Sequence, residues 1–168
     1  MSELQFNAAG QEDVPLVTDI LTDATHYKVK LGDEIWGDEG WSEEEVKDEM
    51  SKGTMYLVRQ DGEVIGTVLL QWDDDINWGP QPPVAGYMHR LAIKSGHHGK
   101  DLGKQIVGWA EEQVAQRGRE YLRLDCEAAN TELCAYYENL GFERVKTWDA
   151  PGYDDYEAAL YEKRVVAS

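Results

Sequence analysis

Cysteine is nearly absent from this chain. Cys126 and Cys134 are the only two in 168 residues, and the seven residues between them make neither a CxxC pair nor a Cys/His metal pattern. A disulfide framework and a zinc site are therefore not expected, and a reducing cytoplasm is the expected setting. No apolar run approaches the roughly 18–20 residues of a membrane span, so no membrane partner is expected. Residues 1–13 (MSELQFNAAGQED) lack a basic stretch followed by an apolar one, which argues against a signal peptide. Internal repeats and low-complexity segments are missing as well. Two phosphate-binding fingerprints fail: there is no GxGxxG, and Gly99 and Gly103 stand one residue too close for GxxxxGK[ST], with Gln105 after Lys104.

Basic residues are also scarce, 16 Lys and Arg against 33 Asp and Glu, for a formal charge of −17. Such a balance repels phosphate backbones and argues against a nucleic-acid partner. It would favour a cationic substrate at low salt, although a well-solvated surface explains the same numbers. What is abundant is core material, with 42% apolar residues and six tryptophans. A single domain over residues 1–168 is expected, and one of that length buries roughly 70% of its unfolded surface.

Residues 4–8 read as a first strand, and 11–30 carry Val14, Leu16, Val17, Ile20, Leu21 and Ala24 at helical spacing. Ser42-Glu43-Glu44-Glu45 is a capping-box pattern opening a helix that ends near Met50. Runs 54–60 and 64–72 flank Asp61-Gly62, a hairpin signal. Residues 73–83 read as a polar loop. Then come a strand (87–93), a Gly/His/Lys loop, a helix from Leu102 or Gly103, a strand (121–127) and a helix (130–140) ending at Gly141. Strands 142–148 and 156–164, around Pro151-Gly152, complete a mixed α/β (α+β) sheet with a parallel portion. The last strand could pair across a homodimer.

The stretch from Ala85 to Arg117, AGYMHRLAIKSGHHGKDLGKQIVGWAEEQVAQR, is the one the chain is organised around. A strand feeding a glycine-containing turn that opens a helix presents orphan N–H groups and the positive helix end to an anion. An ordinary strand-to-helix loop would carry the same residues.

From Leu91 to Phe142 the sequence resembles the GNAT superfamily of acetyl-CoA-dependent N-acetyltransferases. Leu91-Ala92-Ile93 matches the family's Leu-Ala-Val-like strand end, and His98 to Gly103 fall without a gap on its (Gln/Arg)-x-x-Gly-x-(Gly/Ala) turn. Asn130, Tyr137 and Gly141-Phe142 reproduce its Asn…Tyr-x-x-x-Gly-Phe pattern. Two residues depart from it: His98 stands for Gln or Arg, and Asp101 for the first motif glycine. Asp tolerates left-handed backbone better than most residues, but its carboxylate would sit near a diphosphate. His97, His98, Lys100 and Lys104 could offset it, or Asp101 could turn away and cap the helix.

The resemblance implies a GNAT-like acyl-CoA N-acyltransferase fold, a mixed sheet of about seven strands flanked by about four helices. It also implies transfer of the acetyl group of acetyl-CoA to a primary amine of a small molecule or peptide, with no metal. The implied cofactor contacts are Leu91, Ala92, Ile93, His98, Gly99, Lys100, Asp101, Leu102, Gly103, Lys104, Asn130, Tyr136 and Tyr137. Tyr137 falls on the position of the family's acid, with Tyr136 as the fallback, yet Leu133, Tyr136, Tyr137 and Leu140 also make a core stripe. Asn130 is a helix N-cap on local chemistry alone. His89, four before Ile93, is a candidate base, since an imidazole titrates near neutral pH. Alternation places it with Tyr87, Leu91 and Ile93 on one face; Glu127 on the next strand is the rival. A non-catalytic acyl-CoA-binding module, which Asp101 invites, and an acidic interaction domain are the alternatives.

Overall fold

A computed structural model describes residues 3–32, 36–99, 101–149 and 157–165 of the chain. Its strands are β1 (Leu4–Ala8), β2 (Thr54–Gln60), β3 (Glu63–Gln71), β4 (Ala85–Ile93), β5 (Tyr121–Glu127), β6 (Glu143–Asp149) and β7 (Glu157–Arg164). Its helices are α1 (Val14–Lys30), α2 (Glu43–Met50), α3 (Asp75–Trp78), α4 (Leu102–Gln116) and α5 (Thr131–Asn139), with a 3₁₀ turn at Gln11–Asp13. The strands form one seven-stranded sheet in the order β1-β2-β3-β4-β5-β7-β6. It is mixed: β4 and β5 run parallel, whereas the β1–β2, β2–β3, β5–β7 and β6–β7 pairs are antiparallel. Two compact units divide the chain, Met1–Leu70 with Arg90–Ile106 and Gln71–His89 with Val107–Ser168.

In the first unit the local signals act as their chemistry dictates. Ser42 and Glu45 close both bonds of a capping box, at 3.0 and 3.1 Å, which starts α2. Asp61 and Gly62 both take positive φ, 53° and 82°, the pair a tight β2–β3 hairpin needs. Helix α1 turns Val14, Val17, Ile20, Leu21 and Ala24 inward onto Met55, Leu57, Leu69 and Ala92. Gly66 on β3 has a steric reason to be glycine, because a Cβ there would collide with the Ala92 carbonyl.

The notable departure is in β4. Arg90 has φ 51°, left-handed backbone in mid-strand. The alternation expected to place Tyr87, His89, Leu91 and Ile93 on one face is therefore interrupted between His89 and Leu91. Within the first unit, Thr67 Oγ1 donates to the Arg90 carbonyl at 3.1 Å. The Arg90 guanidinium lies over Trp41 at 4.9 Å and donates to buried Glu49, whose other oxygen takes Lys52 at 2.8 Å.

In the second unit the parallel β4–β5 ladder pairs Ala85, Gly86 and Tyr87 with Tyr121, Leu122 and Arg123. Buried Arg123 donates to the Tyr87 hydroxyl at 2.9 Å and to Glu162 at 2.8 Å, with Trp78 over its guanidinium at 4.6 Å. Strand β7 lies between β5 and β6, so Ala158, Ala159, Leu160 and Tyr161 are buried in succession. Among the described residues there are five α-helices, where about four are expected on the same fold. The extra one is α3, inside the stretch expected to be a polar loop, nucleated by Asp74 accepting from the Asn77 N–H. The expected 156–164 strand is described from Glu157, and the Pro151-Gly152 turn lies outside the described residues. Among the described residues no helix is long and apolar enough to cross a membrane.

Burial pushes the Glu49 carboxyl up, but Arg90 and Lys52 outweigh it and hold the group below the ordinary carboxylate value. The stabilisation is thus complete above that ordinary value and is lost as pH falls through the lower folded-state value. Glu49→Gln is expected to lose about 2–3 kcal/mol in urea unfolding at neutral pH, a deficit that narrows in acid. A deficit independent of pH would contradict the charge assignment.

Candidate active site

The turn between β4 and α4 is built by backbone geometry. Gly99 has φ 85° and Asp101 φ 54°, so both are left-handed, and the Asp101 carbonyl accepts the first α4 bond from the Gln105 N–H at 3.1 Å. A Cβ placed on Gly99 would meet nothing within 4 Å, so one side of the turn is open. Helix α1 anchors the other side: Asp23 accepts from the Ser95 N–H at 2.8 Å and from its hydroxyl. His98 stacks on Tyr27 with ring centroids 4.0 Å apart. Burial holds the His98 imidazole below its ordinary value, so the ring is neutral at pH 7 and does not offset the Asp101 carboxylate as expected. His97 is 3.7 Å from Glu63. Lys100 lies outside the described residues.

His89 in the second unit sits between two carboxylates. Its Nε2 is 2.9 Å from Asp74 Oδ2, and its Nδ1 is 3.6 Å from Asp125 Oδ1. Asp74 is buried and also accepts from the Asn77 side-chain amide. Burial pushes the Asp74 carboxyl up, but the bond and charge of His89, with Asn77, hold it below the ordinary value. These three residues are also the one group of potential metal-ligating side chains found among the described residues. The two carboxylates approach different ring nitrogens, Asp74 at Nε2 and Asp125 at Nδ1.

Helix α5 presents Tyr137 in the same unit. Asn130 caps the helix, its Oδ1 accepting from the Leu133 N–H at 3.1 Å. At the other end Gly141, at φ 99°, forms a Schellman motif: Phe142 N–H donates to the Tyr137 carbonyl, and Gly141 N–H to that of Glu138. The Tyr-x-x-x-Gly-Phe spacing is therefore a helix stop whose apolar contact is Phe142 on Tyr137, 5.8 Å between ring centroids. Tyr137 is buried, and burial pushes its phenol up, with Cys126, Tyr136 and Asp125 adding to the shift. The phenol is protonated at neutral pH. The inner face of α5 is Cys134 and Tyr137, whereas Tyr136 is exposed, so the expected Leu133–Tyr136–Tyr137–Leu140 stripe is corrected at Tyr136. Cys134 Sγ is 3.8 Å from Cys126 Sγ, and both thiols are free.

Asp125, which no local signal in the sequence singled out, faces His89 Nδ1 and lies within electrostatic range of the Tyr137 phenol. Glu127 is half-buried at the end of β5, and its carbonyl accepts from the Asn130 N–H. Leu91 and Ile93 are half-buried and Ala92 buried in the first unit, and Leu102 is buried at the start of α4.

Residues 17–142 match the profile of the Acetyltransferase (GNAT) family. The chain belongs to this family. A curated GNAT relative, the uncharacterized N-acetyltransferase YesJ of Bacillus subtilis (strain 168), is 27% identical over 164 residues, 93% of this chain and 87% of that one. Among solved GNAT folds, aminoglycoside acetyltransferase AAC(6')-Ib in complex with coenzyme A superimposes with a TM-score of 0.75 at 18% identity, covering 96% of this chain and 95% of that one. A ribosomal-protein-alanine N-acetyltransferase from Brucella melitensis gives 0.70 at 17% identity, covering 95% and 99%.

The left-handed Asp101 of this GNAT turn makes a separable prediction. Asp101→Ala is expected to lose about 1 kcal/mol in urea unfolding, because a Cβ without a polar group is disfavoured at that φ. Asp101→Gly is expected to hold or gain stability, and equal losses in the two variants would discount the backbone explanation.

Proposed function

We propose that this protein is an N-acetyltransferase that moves the acetyl group of acetyl-CoA directly to a primary amine, with His89 as general base and Tyr137 as general acid. The observation that carries the reading is His89 held between Asp74 and Asp125, with the buried, protonated Tyr137 within electrostatic range of Asp125. The open side of the turn at Gly99 fits a diphosphate received by backbone N–H groups. His98, Gly99, Lys100, Asp101, Leu102, Gly103 and Lys104 would hold it there, with Asn130 and Tyr136 toward the pantetheine arm and Leu91–Ile93 along it. The co-substrate supplies an acyl group activated as a thioester.

The rest falls to the chain. An aliphatic amine is only about one part in two thousand deprotonated at pH 7, so a base that takes its proton speeds attack. His89 takes that proton at the nitrogen facing Asp125. A backbone N–H near Leu91–Ile93 holds the charge that develops on the acyl oxygen. As the C–S bond breaks, the Tyr137 phenol protonates the departing sulfur, and the phenolate left behind is restored by the second proton that the acylated nitrogen sheds. The acceptor is a small-molecule or peptide amine, the setting is cytoplasmic, and no metal takes part.

The direct test is thiol release from acetyl-CoA across polyamines, arylalkylamines and peptide N-termini, and absence of acetyl-CoA binding would end the reading. Tyr137→Phe is expected to lower kcat about 10²-fold or more with little change in CoA affinity; loss of affinity alone contradicts the acid role. His89→Ala is expected to cost about 10²–10⁴ in kcat at neutral pH. That loss shrinks at high pH, where the amine is already neutral, and an unchanged pH–rate profile discards His89.

A further inference from the structure

Asp74 and His89 meet across the second unit at a contact whose polarity is dictated by chemistry. An ionised carboxylate offers only lone pairs, and Asp74 is the partner held in its charged form. Its Oδ1 accepts from the Asn77 N–H at 3.3 Å and its Oδ2 from the Asn77 amide at 3.1 Å, so it is fixed at the start of α3. At 2.9 Å from Asp74 Oδ2, His89 Nε2 must carry the hydrogen. In the neutral ring the lone pair is then on Nδ1, the nitrogen 3.6 Å from Asp125 Oδ1. That distance is beyond a direct hydrogen bond. A lone pair facing a carboxylate is unfavourable, and the pair becomes attractive only once Nδ1 has gained a proton.

We infer that Asp74, His89 and Asp125 form a proton relay in which Asp74 is the positioning residue that makes Nδ1 the basic nitrogen, Asp125 stabilises the imidazolium, and the acceptor class is an aliphatic amine arriving as its ammonium ion. This rests on the acetyltransfer reading for its reaction but not for its geometry. In the step, one N–H bond of the ammonium breaks, its electron pair stays on the amine nitrogen, and the proton forms the Nδ1–H bond. The nitrogen so freed is the nucleophile, and the relay resets when Nδ1 gives its proton to solvent. Two acceptors that share one ammonium nitrogen at ordinary hydrogen-bond lengths lie roughly 3.5–4.7 Å apart, and Nδ1 and Asp125 Oδ1 have that separation. An arylamine, neutral at pH 7, would gain nothing from the second carboxylate. Among the described residues, the titratable groups facing His89 are Asp74 from the start of α3 and Asp125 from β5, and Asp125 is in turn within electrostatic range of Tyr137 on α5 and of Cys126 on its own strand.

The relay is tested by long-range proton–nitrogen NMR of histidine-labelled, full-length protein without cofactor, the His89 signals being assigned by their loss in His89→Gln. The expected wild-type neutral ring is the Nε2–H tautomer. Asp74→Asn keeps the helix cap, since Asn caps as well as Asp. Its amide then donates to Nε2, so the tautomer is expected to switch to Nδ1–H. With acetyl-CoA and propylamine, the same variant is expected to lose about 10²–10⁴ in kcat and to raise KM for propylamine, because Nδ1–H no longer accepts from the ammonium. Asp125→Asn is expected to lose at least about tenfold in kcat/KM for propylamine and less than about threefold for aniline. A wild-type Nδ1–H ring, an unswitched Asp74→Asn ring, or equal losses for both amines overturns the relay. If neither amine is acetylated, the reaction fails as proposed while the tautomers still decide the relay.

Discussion

A left-handed residue in the middle of β4 ends the regular strand that carries His89. Arg90 interrupts β4 at φ 51°, a conformation that disfavours a side chain by about 1–2 kcal/mol. Charge-assisted bonds to buried Glu49, the Trp41 face and the Thr67 hydroxyl on its carbonyl offset that strain. The interruption falls directly after His89. Strand regularity up to His89 puts Tyr87 beside Arg123 and His89 toward Asp125. Beyond Arg90 the same strand delivers Leu91–Ile93 and the turn. One strained residue thus separates the part of β4 that carries the proposed base from the part that leads to the turn proposed to receive the diphosphate.

The family's sequence signatures have plain mechanical content here. The spacing of Tyr137, Gly141 and Phe142 is a Schellman stop, which requires left-handed backbone at Gly141 and brings the Phe142 ring onto Tyr137. Asn130 opens the same helix as its N-cap. A helix fixed at both ends within nine residues holds the phenol where burial keeps it protonated. The substitution at Asp101 is tolerated for the same kind of reason: the turn requires positive φ, and Asp is among the few non-glycine residues that supply it. The His98 side chain is not placed as an anion contact, because stacking on Tyr27 ties its ring to α1 and leaves only its backbone N–H to the turn.

Features governed by residues a few positions apart were readable in the sequence. The Ser42 capping box, the Asp61-Gly62 hairpin, the Asn130 cap and the Gly141 stop each depend on neighbours within about five positions. What was not readable depends on partners far along the chain. His89 could be named as a base, but neither Asp74 nor Asp125 could be attached to it, because pairing across α3 and β5 follows from tertiary register. The α3 turn was hidden because a single Asp74 cap starts it within a stretch whose composition favours loops. Tyr136 was placed inward by a helical stripe that Cys134 in fact occupies, since both fit the same period and packing decides between them.

The acidic balance of the chain takes a different meaning from this geometry. A net charge of −17 raises the local concentration of any cation, but screening confines that effect to about 8–10 Å at ordinary salt and gives it no selectivity. Discrimination needs charges that are desolvated and directed. Asp74 is buried and occupied by Asn77 and His89, so in the proposed relay it does not recruit a substrate but acts through the imidazole. Asp125 faces the nitrogen that Asp74 leaves basic. In the proposed relay the surface charge can bring an amine to the protein, while this ordered pair, one carboxylate setting the tautomer and one awaiting the proton, distinguishes an ammonium ion that can be deprotonated from one that is merely attracted.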